Sequence, residues 1–260
     1  QEPVAYVSTL GTWTKIAMEN LRAQMDEQKA GKSVYEIRPI DPGQIAVVAV
    51  SPGDGISKIF ASLGVAAIVG GGQTMNPSTE EILKSFEDLP TDNIIILHNN
   101  KNIIFAANTA KTLSTKNVQE VDSKNIAQGL SALLRLIPDG DPEEVFTEME
   151  EAITEVDCGE VTTATRTVEI DGVHVESGKI IGLQNEKLSV AADNVETATL
   201  ELLSKMEIEK REHITAFYGD NITEPEVQAI AKKIEAAFPS IEVEIHEGGQ
   251  PFYYMILSIE

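Results

Sequence analysis

The sequence predicts a parallel-sheet α/β domain followed by an α+β domain with an antiparallel sheet. From Ile45 onward, apolar runs of four to six residues alternate with amphipathic stretches of ten to fourteen, which is typical of parallel strands covered by helices on both faces. After residues 138–142, Pro-Asp-Gly-Asp-Pro, tight turns join the strand-like runs, which indicates antiparallel pairing. A chain of 260 residues is long enough for two such domains.

The α/β domain is predicted to span residues 40–137. Its strand runs are apolar throughout, as expected for strands buried on both faces, and apolar residues recur at helical spacing in the segments between them. The predicted strands are residues 45–50, 66–69, 93–97 and 118–121, and the predicted helices are residues 56–63, 79–89, 102–113 and 126–137.

The α+β domain is predicted to span residues 138–260 and to begin with an acidic helix at 143–156. A run rich in valine and threonine at 161–170 predicts a strand, and Asp171-Gly172 after it is a hairpin-turn signal. Later apolar residues recur with the 3.6-residue period of helices. The remaining predicted strands are residues 173–175, 180–183, 214–218, 241–245 and 252–259, with helices through residues 195–206 and 227–238.

Residues 1–39 are predicted to be the tail of a truncated preceding, middle domain and a linker. Ile16, Leu21 and Met25 have helical spacing, and the polar run at 26–33 is typical of a linker. Its last three residues, Gly-Lys-Ser, match the end of a phosphate-binding loop. Because Asp26 stands where that motif needs glycine and no strand precedes it, we predict no ATP site there.

The charge of the chain restricts its partners. Forty-two acidic residues against twenty basic ones give a net charge of −22, which repels nucleic acid and anionic lipid, so we predict no nucleic-acid binding. The acidic surface either keeps the chain in solution or faces a basic partner. No apolar run is long enough for an integral membrane segment. Cys158 is the only cysteine, and there is no signal-peptide pattern, which favours a cytoplasmic protein.

Three polar loops are the candidate ligand- or partner-contact sites. The first is the Gly70–Ser78 loop, which leaves a strand and enters a helix where Ser78 and Glu81 have capping-box spacing. The second, at residues 98–102, follows the third predicted strand, so both loops lie at the carboxyl edge of the sheet, where α/β folds bind ligands. A tight turn is the alternative interpretation of the first loop, and ordinary turn and capping chemistry that of the second. The third, at residues 247–251, precedes the last predicted strand, and its paired glycines imply unusual backbone angles or a close approach. The candidate contact residues are Thr74, Asn76, Ser78, Asn99, Asn100, Asn102, Gly248, Gly249 and Gln250.

No catalytic or metal-binding residue is predicted. The four histidines, at positions 98, 174, 213 and 246, lack the spacing of metal ligands. A single cysteine without a neighbouring histidine pattern does not support a nucleophilic triad.

The three loops together resemble one protein family. Gly-Gly-Gln-Thr-Met-Asn-Pro-Ser at 71–78, Asn-Asn-Lys-Asn at 99–102 and His-Glu-Gly-Gly-Gln-Pro at 246–251 are similar to the C-terminal region of the ATP-binding subunit of bacterial fatty acid kinase, which is a dihydroxyacetone-kinase-like domain protein. Residues 11–20 resemble the end of its middle domain. The resemblance implies a DegV-like two-domain fold.

The resemblance also implies that ATP binding and carrier docking belong to different domains of the parent protein. ATP and Mg would bind to an N-terminal domain preceding Gln1, so no cofactor is expected in this fragment. The fragment itself would dock the acyl-carrier, DegV-like subunit, whose fatty acid carboxylate the parent phosphorylates. The carriers have a Thr-Ser-x-Pro-Ser loop on the acyl carboxylate, and here Met75 replaces its serine. The resemblance therefore implies a loop that retains the fold signature without the carboxylate-binding role.

Two function hypotheses follow. In the first, the chain is a non-catalytic interaction module for the carrier subunit. In the second, it is a small-ligand or acyl-binding protein that uses the loops at 74–78 and 99–102 directly. A self-contained enzyme is not expected, and a homodimer is a further prediction.

Overall fold

The computed structural model of the chain describes residues 35–72, 76–170 and 173–260. The helix and linker predicted within the first 34 residues lie outside the described residues, as do Thr74 and Met75 of the first candidate loop and the predicted Asp171-Gly172 turn. Residues 35–260 form one compact unit. No helix within the described ranges is both long and apolar enough to cross a membrane.

The first sheet is parallel, as predicted. Its strands run in the order β2-β1-β3-β4, and every neighbouring pair is parallel. Strand β1 is buried along its whole length, which explains its uninterrupted apolar sequence. The elements are β1 (Ala46–Ser51), α1 (Asp54–Ser62), β2 (Ala67–Gly70), α2 (Thr79–Glu87), β3 (Asn93–Leu97), α3 (Ile104–Leu113), β4 (Asn117–Val121) and α4 (Ile126–Leu133).

The second sheet has six strands in the order β11-β10-β12-β5-β8-β9. It confirms the predicted α+β half, with one difference: β10 and β11 pair in parallel, joined by a crossover helix, while the other neighbours are antiparallel. The elements are α5 (Pro142–Ala152), β5 (Asp157–Thr163), β6 (Val168–Ile170), β7 (Val173–Val175), β8 (Ile180–Gln184), β9 (Lys187–Ala192), α6 (Val195–Lys205), a 3₁₀ turn (Ile208–Lys210), β10 (His213–Tyr218), α7 (Glu224–Ala237), β11 (Glu242–Glu247) and β12 (Tyr253–Ile259).

Two strand predictions need correction. The single strand predicted at 161–170 is two strands, since residues 165–167 are exposed and separate β5 from β6, which pairs with β7 in a small hairpin. Strand β9 has no counterpart among the predicted strands. It is joined to β8 by a two-residue turn at Asn185 and Glu186, both with positive φ (46° and 66°). The usual sequence signal for such a turn ends in glycine, and a glutamate there hides it.

The two sheets share a hydrophobic core. One cluster contains Val47 and Phe60 from the first half, Leu133 from α4, and Cys158 and Ile256 from the second sheet. Helix α5 lies just after the domain boundary predicted at residues 137–138, yet it packs against α4 and adds side chains to this cluster. That boundary stays a prediction. Helices α6 and α7 cover the other face of the second sheet in a separate cluster.

The halves also meet through backbone. The amide of Ile56 in α1 donates a hydrogen bond to the carbonyl of Gly248 (3.1 Å). This approach requires glycine, because a Cβ atom at Gly55 would lie 1.9 Å from the carbonyl oxygen of Glu247, and one at Gly53 would lie 2.5 Å from that of Gly248. The segment after β11 is thereby fixed against the first turn of α1.

Candidate functional site

A small cleft lies at the carboxyl edge of the parallel sheet. It opens between the ends of β1 and β3, where the chain reverses its order along the sheet and where ligands bind in open α/β folds. The second sheet forms the opposite wall. The polar and tyrosine side chains that line the cleft are His98, Asn99, Asn100, Lys124 and Asn125 from the first half, and Glu160, Glu186 and Tyr253 from the second.

Asn99 is the central polar residue of this edge. Its side-chain amide donates to the carbonyl of Val50 (2.9 Å), its Oδ1 accepts from the Ser123 hydroxyl (3.0 Å), and its own N–H donates to the same hydroxyl (3.2 Å). Its φ is 53°, a conformation that asparagine tolerates better than most residues. A Cβ atom at Gly129 would lie 2.0 Å from its Oδ1. Asn99 therefore joins the ends of β1 and β3 to the loop after β4, and it fills much of the crevice between them.

The neighbouring asparagines make a local turn. Asn100 is partly buried in the cleft wall, and its Oδ1 accepts from the N–H of Asn102 (2.9 Å). Asn102 itself is exposed. Between them, Lys101 forms an ion pair with Glu186 of the second sheet (3.1 Å).

The first candidate loop contributes mainly backbone to the cleft. Gly71 and Gly72 line it, while Asn76 and Ser78 are exposed. The predicted capping box is confirmed: the Ser78 hydroxyl accepts from the N–H of Glu81 (3.2 Å), and the Glu81 carboxylate accepts from the N–H of Ser78 (2.8 Å). The polar groups of Ser78 are thus engaged in starting α2.

The third candidate loop lies elsewhere. Gly248 and Gly249 pack against the first turn of α1 and do not line the cleft, and Gly249 has a φ of 63°. Gln250 is fully buried and donates to the carbonyl of Phe217 (2.9 Å), while its Oε1 has no hydrogen-bond partner among the described residues. The structure therefore brings together the loops at 71–72 and 98–100, and it places the loop at 248–250 at the α1 N-terminus instead.

Glu160 and His98 are the functional candidates that the sequence did not indicate. Glu160 is only 7% exposed, and burial first, then the Glu186 carboxylate, raise its pKa from 4.5 to about 7, against a lowering effect of Lys101. His98 is 2% exposed, and its Nδ1 has no hydrogen-bond partner within the described part of the chain. Burial lowers the pKa of His98, which favours the neutral ring. The sequence feature that could have identified Glu160 is the presence of a charged residue inside the apolar run at 158–161.

The cleft is too small for a lipid tail. The space open to the centre of a water molecule is about 30 Å³, enough for one or two waters. Pockets for larger organic ligands span roughly 300 Å³ or more. Among the residues that the structure describes, the cleft therefore holds a water-sized group and not an acyl chain.

The N-terminus of α1 is not free to bind a phosphate group. Phosphate groups bind to free backbone N–H groups at helix N-termini, but at α1 the backbone of residues 248–249 lies directly against that end. No group of three or more His, Cys, Asp or Glu side chains in the described ranges has metal-binding geometry. The arrangement can exchange protons at Glu160 and His98, and it offers polar contacts to a small group.

This fold, two packed halves with a cleft at the carboxyl edge of the parallel sheet, is that of the DegV-like proteins. Residues 46–260 match the FakA-like C-terminal family of fatty acid kinase subunits, so the chain belongs to that family. It is 36% identical over 256 residues to an uncharacterized protein of Staphylococcus aureus strain USA300; the match covers 98% of this chain and 46% of that protein. The chain thus spans about half the length of the curated relatives that it matches.

Solved structures show the same fold at low identity. A fatty acid-binding DegV family protein from Thermus thermophilus has a TM-score of 0.56 at 16% identity, covering 84% of this chain and 99% of that one. Dihydroxyacetone kinase of C. freundii has a TM-score of 0.61 at 12% identity, covering 95% of this chain and 57% of that one. The Streptococcus pneumoniae fatty acid kinase (Fak) B3 protein, loaded with linoleic acid, has a TM-score of 0.52 at 14% identity, covering 71% and 76%. The predicted fold and family resemblance are confirmed.

Replacing Asn99 with alanine is expected to lower the free energy of unfolding by about 2–3 kcal/mol, because it removes two side-chain hydrogen bonds and leaves the Val50 carbonyl buried without its donor. The control is Asn102→Ala at an exposed position, with an expected change within about 0.5 kcal/mol. Urea unfolding followed by circular dichroism measures both. Equal stabilities for the two variants would contradict the bridging role of Asn99.

Replacing Glu160 with glutamine is expected to stabilise the fold at pH 8 and to change it much less at pH 5. The pKa of Glu160 is higher in the folded state than in the unfolded state, so its contribution is favourable at low pH and is lost as the pH rises from 4.5 to about 7. The gain at pH 8 is about 3 kcal/mol. Urea unfolding across this pH range tests it, with the exposed Glu235→Gln as control. A gain independent of pH would refute the assignment.

Proposed function

We propose that this chain is the non-catalytic C-terminal region of a fatty acid kinase subunit, and that it docks the acyl-carrier, DegV-like subunit. The parent protein would bind ATP and Mg in a separate N-terminal domain and phosphorylate the fatty acid carboxylate that the carrier presents. Membership of the FakA-like C-terminal family supports this role. The closed N-terminus of α1 agrees with ATP binding elsewhere in the parent.

The observation that carries this proposal is the size of the cleft. Two proteins of the same fold are described as binding fatty acid, the DegV protein of T. thermophilus and the B3 protein of S. pneumoniae. Here, the Asn99 bridge occupies the carboxyl edge of the parallel sheet, and about 30 Å³ remains open in the cleft. A carrier-like fold whose cleft at this edge lacks an acyl-sized space fits a role in recognition better than one in lipid storage.

An exposed aromatic residue next to the cleft offers a docking contact. Phe105 lies in the first turn of α3 and is 83% exposed, two residues after Ile103, which lines the cleft. Aromatic side chains are enriched among the residues that anchor protein interfaces. We therefore place the carrier on the carboxyl edge of the parallel sheet, over Phe105 and the cleft.

Binding of a small ligand or acyl group by the loops at 74–78 and 99–102 is the second candidate. An open apolar groove of about 210 Å³, lined by Ile181, Leu183 and Leu188, adjoins the cleft at Glu186 and favours it. Native mass spectrometry of the purified chain separates the two functions. Retained fatty acid at stoichiometric amounts would support acyl binding, whereas a consistently lipid-free protein supports docking alone. Formation of a homodimer stays a prediction.

Replacing Phe105 with serine is expected to weaken carrier binding at least tenfold, because it removes the proposed aromatic anchor. The matched control is Leu134→Ser: Leu134 is 62% exposed but ends α4 at the opposite, amino edge of the sheet, so its loss should leave affinity unchanged. Isothermal titration calorimetry with the carrier subunit of the same organism measures both. No association of the unaltered chain at high micromolar concentration would overturn the proposed function, and equal losses in the two variants would overturn the docking face.

A further inference from the structure

Glu160 is a buried carboxylate without a cation of its own. Each lysine near the cleft already has another acidic partner: Lys101 pairs with Glu186 (3.1 Å) and Lys124 with Asp122 (2.9 Å). No hydrogen bond or salt bridge from the described residues reaches the Glu160 carboxylate, although the residue is only 7% exposed and lines the cleft. Burying an ionisable group in this way is costly unless a partner compensates it. A positive group or a proton donor that entered the cleft would therefore compensate the buried Glu160 carboxylate.

Glu186 is held beside it by a strained turn. Its φ of 66° belongs to the second position of the β8–β9 turn, where glycine is favoured. The preceding Asn185 fixes this turn to β5, since its Oδ1 accepts from the N–H of Cys158 and its amide donates to Asp157, both at 2.8 Å. A turn alone needs no glutamate at this position. The glutamate brings a second carboxylate to the cleft at a conformational cost, and such local strain is typical of functional sites.

The positive charges near the cleft are those of Lys101 and Lys124, and Arg166 lines the adjoining groove. His98 is buried, and its ring is held neutral by the low pKa that burial produces. The charged and titratable groups around Glu160 are Glu186 and Lys101, the Cys158 thiol and the Tyr253 hydroxyl, with His98, Lys124 and Asp122 on the elements opposite and Arg166 in the adjoining groove. Because both lysines have their own carboxylates, Glu160 is left without a paired cation in the cleft.

We propose that the cleft receives the ammonium group of a lysine side chain from the docked carrier subunit, where it pairs with Glu160 and Glu186. This inference rests on the proposed function. The free space of about 30 Å³ suits a compact, water-sized ammonium and is small for a planar guanidinium. The groove beside Glu186 has apolar walls at Ile181, Leu183 and Leu188 that can pack against the methylene stem of such a side chain, and Arg166 also lines it. A net charge of −22 on this chain favours a basic surface on the partner.

The double variant Glu160→Gln/Glu186→Gln tests the site, since it removes both charges while preserving side-chain shape. Calorimetry with the carrier subunit of the same organism, purified with its fatty acid, is expected to show at least a tenfold loss of affinity. The matched control is Glu201→Gln/Glu235→Gln, which removes the same charge from exposed positions away from the cleft and should change affinity less than threefold. Circular dichroism and urea unfolding confirm that each variant is folded.

A chemically altered carrier tests the kind of cation. Guanidination converts lysines to homoarginines, so it preserves charge but enlarges the head group. The altered carrier should bind the unaltered chain at least tenfold more weakly, and should show little further loss with the double variant, because both changes remove one interaction. If the unaltered partners do not associate, the proposed function fails. If the unaltered partners associate but the double variant binds as tightly as its control, the lysine site is refuted while the proposed function stands. The same conclusion follows if guanidination of the carrier lowers its affinity equally for the unaltered chain and for the double variant.

Discussion

The side chain of Asn99 is the interaction on which the carboxyl edge of this fold depends. Pairing between β1 and β3 ends at Ala49 and Leu97, and Val50, just beyond it, lines the crevice where the chain reverses its order along the sheet. In this chain the Asn99 amide satisfies the Val50 carbonyl, while its oxygen and backbone are held by Ser123. Gly129 is required because any side chain there would meet the same amide. Three loops are thus joined through one residue, and about 30 Å³ of the crevice between them remains open.

The charges of the side chains around the remaining cleft restrict what it can bind, in addition to its small volume. Its two lysines are neutralised within the chain, its histidine is kept uncharged by burial, and Glu160 is left with a carboxyl whose pKa is about 7. Such a group is poised between protonated and ionised forms at neutral pH. The surroundings of Glu160 can therefore set its charge, and a nearby cation would favour the ionised form.

The parallel half was predictable because strands buried on both faces have uninterrupted apolar sequences, as β1 does, and because parallel topology places the loops after β2 and β3 at one edge. Ser78 was predictable as a cap because its partner Glu81 is local.

The role of Glu160 was not predictable, because its burial depends on residues far away in sequence. These are Ile256 of β12, which pairs with it, and Tyr253. Strand β9 was missed for a local reason: Glu186 stands where a glycine would have revealed the turn. The position of the loop at 248–250 depends on its contact with α1, and no pattern within the loop sequence indicates that contact.

The glycine-mediated contact between α1 and the segment after β11 has a kinetic consequence. The backbones at residues 53–56 and 247–249 are in direct contact, and a hydrophobic cluster is common to both sheets, so parting the two halves around an incoming molecule would break both contacts. A binding partner would meet a surface already in its final shape. Association would then proceed as rigid-body docking, with an encounter rate set by diffusion and by the long-range field of this acidic chain, and with ionic strength as its main control.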